Sequence, residues 1–299
     1  MKQQIKSSLI LLLTATIWGV AFVAQSVGME YIGPFTFNAI RCVLGGLVLI
    51  PVILVLKKKK ETGAENQEKE EKKTLWAGGI ACGVILCIAS NLQQFGIMEA
   101  SVGKSGFFTA LYIVMIPVIG IFIGKRPGIK LWFCVALAVV GMYLLCMKDG
   151  SFTIERADIM LLLCALAFSF HILVVDYFSP KVDGVKMSCI QFFVCGVLSA
   201  VGMLFTETPD ISNIQAAWLP LLYAGLLSCG VGYTLQIVGQ KGINPVIASL
   251  IMSLESVISA LAGWVILGQV LSPKEILGCV LMFVAIIITQ IPIGNKKTD

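Results

Sequence analysis

Charge is scarce in these 299 residues: Asp, Glu, Lys and Arg make up 13%, against about 25% in soluble domains. The shortfall excludes a disordered chain and an ordinary soluble enzyme, and the 58% of apolar residues says the same. Histidine occurs once, at His171, so no Cys/His cluster can assemble a metal site. There is no P-loop, no G-x-S-x-G and no H-E-x-x-H, so neither direct ATP driving nor a familiar catalytic constellation is expected, and no cofactor. Cysteine is plentiful at ten, but no pair has C-x-x-C spacing and almost all lie in apolar runs. They read as free thiols packed against helices or lipid, not as a disulfide framework. The net charge of +5 is dispersed over short loops, which gives nucleic acid no basic patch to bind.

What is present is a series of long apolar runs. A bilayer core of about 30 Å takes about 20 apolar residues per helix. Ten such runs can be marked, at about 8–28, 34–56, 75–97, 103–124, 129–147, 157–177, 187–206, 217–239, 245–267 and 275–293. Asn244-Pro245 and Ser272-Pro273 each place a capping side chain before a proline at the first helical position. The first run is too long for a signal-peptide core and has no convincing cleavage site, so it reads as a helix. With the N-terminus inside, 17 lysines and arginines fall on the cytoplasmic side and 4 outside. The bias places both termini in the cytoplasm of a multi-pass cell-membrane protein. Between 57 and 74 lies the one long polar stretch, KKKKETGAENQEKEEKK with Thr74. It reads as a solvated flexible loop, with anionic headgroup binding by Lys57–Lys60 as the alternative.

The chain also repeats itself. Gly45 matches Gly196 at an offset of 151, and Leu92-Gln93 with Gly96 match Leu235-Gln236 with Gly239 at 143. An insertion at 57–74 in the first half accounts for the change. Each repeat, 8–147 and 157–291, then holds five helices. Five is odd, so the second copy enters the membrane from the opposite side, the inverted pair common in secondary transporters.

Polar groups at bilayer depth are costly, about 2.5–3.5 kcal/mol for a charged side chain, and mark sites by default. Glu255 lies eleven residues into the ninth run, beside a serine stripe at 249, 253 and 256. It reads as a proton-coupling carboxyl or as a neutral, structural acid. Arg41, two turns into the second run, reads either as a fixed cation for a substrate carboxylate or as a structural counter-charge. His171 and Asp176 on the sixth run are further coupling candidates; a lone histidine among Phe168, Phe170 and Ile172 also suits plain packing. Neutral and aromatic stripes complete the candidate substrate wall: Trp18, Phe22 and Gln25; Asn91 and Gln94; Thr109 and Tyr112; Tyr233 and Gln236. Ser105 and Gln240 extend two of these stripes. Each stripe alone could be interhelical glue, but together they favour a cavity. Pro117 should kink the fourth run and free a carbonyl there.

Trp18-Gly19 with Phe22, Pro34-Phe35 with Asn38 and Arg41, Thr109-Ala110-Leu111-Tyr112 with Pro117, and Leu254-Glu255 running to Leu267-Gly268 carry a family resemblance. The chain resembles the EamA-type transporters of the drug/metabolite transporter superfamily, over nearly its whole length and as two copies. The resemblance implies ten helices around a central cavity and export of amino acids, other metabolites or drugs. Glutamates common at the ends of helices 4 and 9 are Lys125 and Gln269 here, and a proline common after the helix-9 glutamate is Ser256. The expectation is therefore an all-α membrane protein that acts as a secondary transporter, not an enzyme. Its partners would be a small-molecule substrate, the lipid bilayer and protons. A membrane enzyme on lipid-linked substrates would need acidic or histidine clusters near an interface, and a receptor or scaffold would need no polar midplane.

On a background without native cysteines, a cysteine at position 65 is expected to label only from the cytoplasmic side, and cysteines at 207–215 only from outside. Labelling of position 65 by an impermeant reagent on intact cells would contradict this topology.

Overall fold

The computed structural model describes residues 2–56, 65–100, 102–124, 127–146, 155–267 and 272–291. The lysine run 57–60, Lys125 and Gly268-Gln269 lie outside them. Among the described residues the chain is helical and has no strand. The first half comprises α1 (Lys2–Gly28), α2 (Pro34–Val55), α3 (Glu65–Glu99), α4 (Val102–Ala110), α5 (Tyr112–Phe122) and α6 (Ile129–Cys146). The second comprises α7 (Arg156–Phe178), α8 (Gly184–Thr206), α9 (Ile211–Ala216), α10 (Trp218–Leu222), a π segment (Tyr223–Tyr233), α11 (Thr234–Gln240), α12 (Pro245–Met252), α13 (Glu255–Leu267) and α14 (Pro273–Gln290).

Among the described residues, eight helical segments are long and apolar enough to cross a membrane, and Ile129–Leu144 is a shorter apolar helix. The tenth apolar run of the sequence forms α14. Its first turn is a polar capping box, Ser272 and Glu275 bonding reciprocally, which leaves a shorter apolar stretch. α14 packs along α6. The exterior is apolar, with Val55, Phe122 and Phe205 at least 85% exposed, while Arg41, Asn38, Gln94, Gln191 and a row of serines are buried. Such an inside-out distribution belongs to a chain solvated by lipid, so this is a multi-pass membrane protein.

The two halves interlock about a pseudo-two-fold axis. A Cβ on Gly46 would come within 3.0 Å of Phe193, and one on Gly196 within 3.0 Å of Val43. Gly46/Gly196 and Val43/Phe193 are both pairs 150 residues apart, so each helix of the α2–α8 seam offers its partner the same surface. Gly96 meets Leu161, and Gly239 meets Leu11, which repeats the reciprocity between α3 and α7 and between α11 and α1. Small residues here allow the backbone approach that packs helices in lipid. The register differs by one from the sequence match of Gly45 with Gly196. Gly45 and Gly46 are adjacent, and a single identity could not choose between them.

Three further local expectations are corrected. Residues 65–74 are not loop but the first turns of α3; Glu65/Lys69 and Glu68/Lys72 have the favourable i,i+4 order for a helix. The break in the fourth run falls at Leu111, between α4 and α5, whereas Pro117 sits inside α5. The second repeat is broken at the matching place, Ser253-Leu254 between α12 and α13, and there the residue corresponding to Pro117 is Ala260. Proline alone is therefore not the cause. Finally, the serine stripe is absorbed by packing. Ser249, Ser253 and Ser259 donate to carbonyls three residues back, and Ser256 donates to Gly106 O of α4 at 3.1 Å. The cysteines at 42, 82, 87, 134, 164, 189, 195, 229 and 279 are free, as expected.

One cap crosses between the repeats. Asp183 caps α8 through Val185 N and Lys186 N. At the corresponding place before α2 stands Gly33, which has no side chain to do so. Glu207, at the end of α8, supplies the missing anion: its carboxylate accepts from Phe35 N at 2.9 Å, Thr36 N at 2.8 Å and Thr36 Oγ1 at 2.6 Å. A Cβ on Gly33 would collide with that carboxylate, so the glycine makes room for the cap. Negative charge at this helix N-terminus also suits the macrodipole. Glu207→Ala is expected to cost about 1–2 kcal/mol of stability, seen as a lower melting temperature in detergent, with Glu207→Gln intermediate. An unchanged melting temperature for Glu207→Ala would show that the cap contributes nothing.

Candidate functional site

The two interrupted helices pack on each other, α4 against α13 and α5 against α12. Tyr112 is the first residue of α5 and Glu255 the first of α13, and the two are 143 residues apart, the repeat offset of this region. The Tyr112 hydroxyl donates to Glu255 Oε1 at 3.0 Å, and both side chains are buried. Equivalent positions of the two repeats thus touch on the axis itself. Each also begins a half-helix, whose free N–H groups make the surroundings electropositive.

Around this contact lies a cavity of about 30 Å³, against about 10–15 Å³ needed for one water. Its lining comes from α1 (Trp18, Phe22, Gln25), α2 (Arg41), α3 (Gln93), α4 (Thr109), α5 (Tyr112), α7 (Phe168, Ile172), the π segment (Ser228, Tyr233), α11 (Gln236) and α13 (Glu255). Much of it is two-fold related: Trp18 with Phe168, Phe22 with Ile172, Gln93 with Gln236 and Tyr112 with Glu255. The rest breaks the symmetry. Arg41 Nη1 donates to Gln25 Oε1 at 2.7 Å, while the matching residues in the second repeat are Gln191 and Val175.

The π segment shapes one wall. Its eleven residues, YAGLLSCGVGY, are glycine-rich and wind more widely than an α-helix. Wider winding leaves carbonyls reachable from outside. Trp18 Nε1 donates to Ser228 O at 3.3 Å. In the other direction, the Tyr223 hydroxyl donates to Ile17 O at 3.1 Å. These bonds fix the Trp18 ring 4.6 Å from that of Tyr233, with the planes inclined at 55°. The result is an aromatic wall facing the Tyr112–Glu255 contact.

Not every residue singled out in the sequence reaches the cavity. Asn91 lies in the seam between helices: it accepts from Asn38 Nδ2 at 2.9 Å and donates to Cys87 O at 2.8 Å and Ser199 Oγ at 3.0 Å. Its repeat partner Thr234 bonds Ser188, the partner of Asn38, at the same 2.9 Å, so this is a symmetric clamp. Gln94 turns towards Met29 Sδ at 3.5 Å. Ser105 is buried outside the lining, and Gln240 donates to Ile172 O at 3.3 Å. His171 stands behind Tyr233, edge-on at 5.9 Å, with Nε2 at 3.0 Å from Gln191 Oε1. Asp176 is half-buried further along α7 and outside the lining. Gln93, Phe168, Ile172 and Ser228 line the cavity without having been singled out as site residues. Gln93 was within reach, since its match to Gln236 was already visible in the repeat.

A second, larger space of about 230 Å³ opens one turn beyond the first, past Ile116 and Leu173. Its other walls include Pro117 and Gly120 of α5, Pro127-Gly128, Leu131 of α6, and the start of α12 at Asn244-Pro245.

An all-helical membrane protein built from two repeats, each with an interrupted helix at a shared cavity, has an architecture met among membrane transporters. The EamA-like transporter family profile matches residues 5–147 and again 155–291, and the chain belongs to that family. It is 27% identical over 282 residues to an uncharacterized transporter of Archaeoglobus fulgidus, covering 94% of this chain and 84% of that one. The uncharacterized transporter YwfM of Bacillus subtilis is 24% identical, with 97% and 96% covered. A solved crystal structure superposes with a TM-score of 0.77 over 95% of this chain and 96% of that one. At 17% identity it speaks for the fold alone.

Proposed function

We propose that the protein exports a small metabolite, amino acids among the candidates, by alternating access, and that Glu255 couples the movement to protons. The observation that carries the reading is the meeting of the two helix breaks at Tyr112 and Glu255 inside the polar cavity. Irregular backbone at membrane depth is tolerated where it lines a cavity, and inverted-repeat transporters place their sites there. The aromatic and amide lining suits a small amphipathic molecule. The larger space beside α5 and α12 supports a route from the cavity towards the lysine-rich end of the bundle, the cytoplasmic side on the topology read from the sequence.

Glu255 suits proton exchange because each of its forms has support. The N-terminus of α13 and the Tyr112 hydroxyl stabilise the carboxylate. Its burial away from water stabilises the neutral acid. In this reading substrate and proton share one small space, so occupation by one opposes the other.

Glu255→Gln keeps the shape and hydrogen bonding of the neutral acid but cannot ionise. In proteoliposomes supplied with a panel of amino acids and metabolites, this variant is expected to fold and lose gradient-driven accumulation while retaining exchange. Accumulation equal to the parent's from mildly acidic to mildly alkaline pH would refute the coupling role and turn attention to His171 and Asp176.

A further inference from the structure

Resting on the reading of the central cavity as the substrate site, we infer that Arg41 is its anion receptor and that the transported molecule carries a carboxylate. Arg41 is 3% exposed and lines the cavity. Its hydrogen bond goes to the neutral Gln25, its Nε has no partner, and among the described residues it makes no ion pair. The Phe37 ring lies 5.6 Å from its guanidinium carbon. Glu255 lines another wall and is engaged by Tyr112.

A guanidinium removed from water without a counter-charge is strongly unfavourable, so a purely structural arginine here would need a built-in carboxylate. The second repeat provides an internal control. Its corresponding residue, Gln191, is buried and bonds His171 at 3.0 Å, a pair the fold builds without an arginine. The fold therefore needs a hydrogen-bonding side chain at this place but not a cation. The charge in the first repeat serves something that arrives from outside the protein.

The chemistry of the site narrows what that is. A planar guanidinium with a free Nε edge matches a planar carboxylate. Gln25, by holding Nη1, acts as the positioning residue that presents the edge. A phosphate dianion would leave surplus negative charge beside Glu255, with one arginine to balance it. Trp18, Phe22 and Phe168 supply apolar surface for the remainder of the molecule.

The test uses the full chain in lipid nanodiscs and follows its melting temperature with matched probes. The probes are phenylacetate, phenylacetamide and phenethylamine, then leucine and leucinamide, with phenyl phosphate as the dianion. The acids are expected to stabilise the parent at concentrations where the amides, the amine and the phosphate do not. In Arg41→Gln the apparent Kd of the acids should rise about 10- to 100-fold and their advantage over the amides should vanish. Arg41→Lys should retain part of it. Equal stabilisation by acid and amide, preference for the phosphate, no response to the acids, or an acid preference that survives Arg41→Gln would each overturn the inference. The acid–amide comparison on the parent decides the matter even if Arg41→Gln does not fold. Trp18→Ala and Tyr112→Ala separate the two levels: acid binding unchanged in both would sink the cavity as the substrate site. Weakened binding of every probe without acid preference would sink only the carboxylate.

Discussion

Inside a bilayer every backbone N–H and C=O must find a partner within the protein, and an interrupted helix breaks that rule unless its loose ends face other protein groups or water. Among the described residues two helices are interrupted in this way, at Leu111 and at Ser253-Leu254, and the fold brings the breaks together. The surrounding arrangement follows from accommodating them. The breaks are stitched by short turns, such as Val114 N to Leu111 O at 3.0 Å and Ser256 N to Ser253 O at 3.1 Å. The half-helices that result point their first residues, Tyr112 and Glu255, at each other across the axis. The space left between them is the polar cavity. Serines at 249, 253, 256 and 259 do not belong to it; they satisfy carbonyls in and beside the broken helix.

Symmetry supplies the scaffold, and departures from symmetry supply the chemistry. The glycine contacts at Gly46 and Gly196, and the clamps Asn38–Asn91 and Ser188–Thr234, are the same in both repeats and hold the seam closed. Arg41 against Gln191, Tyr112 against Glu255, and Trp18 against Phe168 are not the same. Neither is the π segment, whose counterpart in α3 is α-helical. A cavity on a strict two-fold axis would be alike towards both ends of a bound molecule. This one places a cation on one wall and an acid on another, so it can orient what it holds.

Much of this was legible in the sequence, for definite reasons. Long apolar runs and a faint repeat are direct consequences of lipid solvation and internal duplication, and they lead to an all-helical membrane protein with two repeats. Buried ionisable groups are rare enough in such runs that Arg41 and Glu255 stand out. What periodicity cannot do is choose between faces of a helix that is polar on more than one. Asn91 and Gln94 share a stripe, yet Asn91 turns to the seam and Gln94 to Met29, while Gln93, one residue away, turns to the cavity. Pro117 reads as the place where the fourth run bends, because proline is the visible cause in a sequence, whereas the helix is interrupted at Leu111 and the second repeat is interrupted without a proline. The polar residues 65–74 read as loop by composition but extend a helix, since their Glu–Lys spacing suits one.

The central claim is that the repeats are coupled where Tyr112 meets Glu255. A double-mutant cycle with Tyr112→Phe, Glu255→Ala and the pair, read as unfolding free energy in lipid or detergent, tests it most directly. The account requires the double variant to be non-additive, with a coupling of about 0.6–1.7 kcal/mol for a hydrogen bond at membrane depth. Additivity within about 0.3 kcal/mol would mean that the two residues do not hold one another and that the cavity is organised by something else.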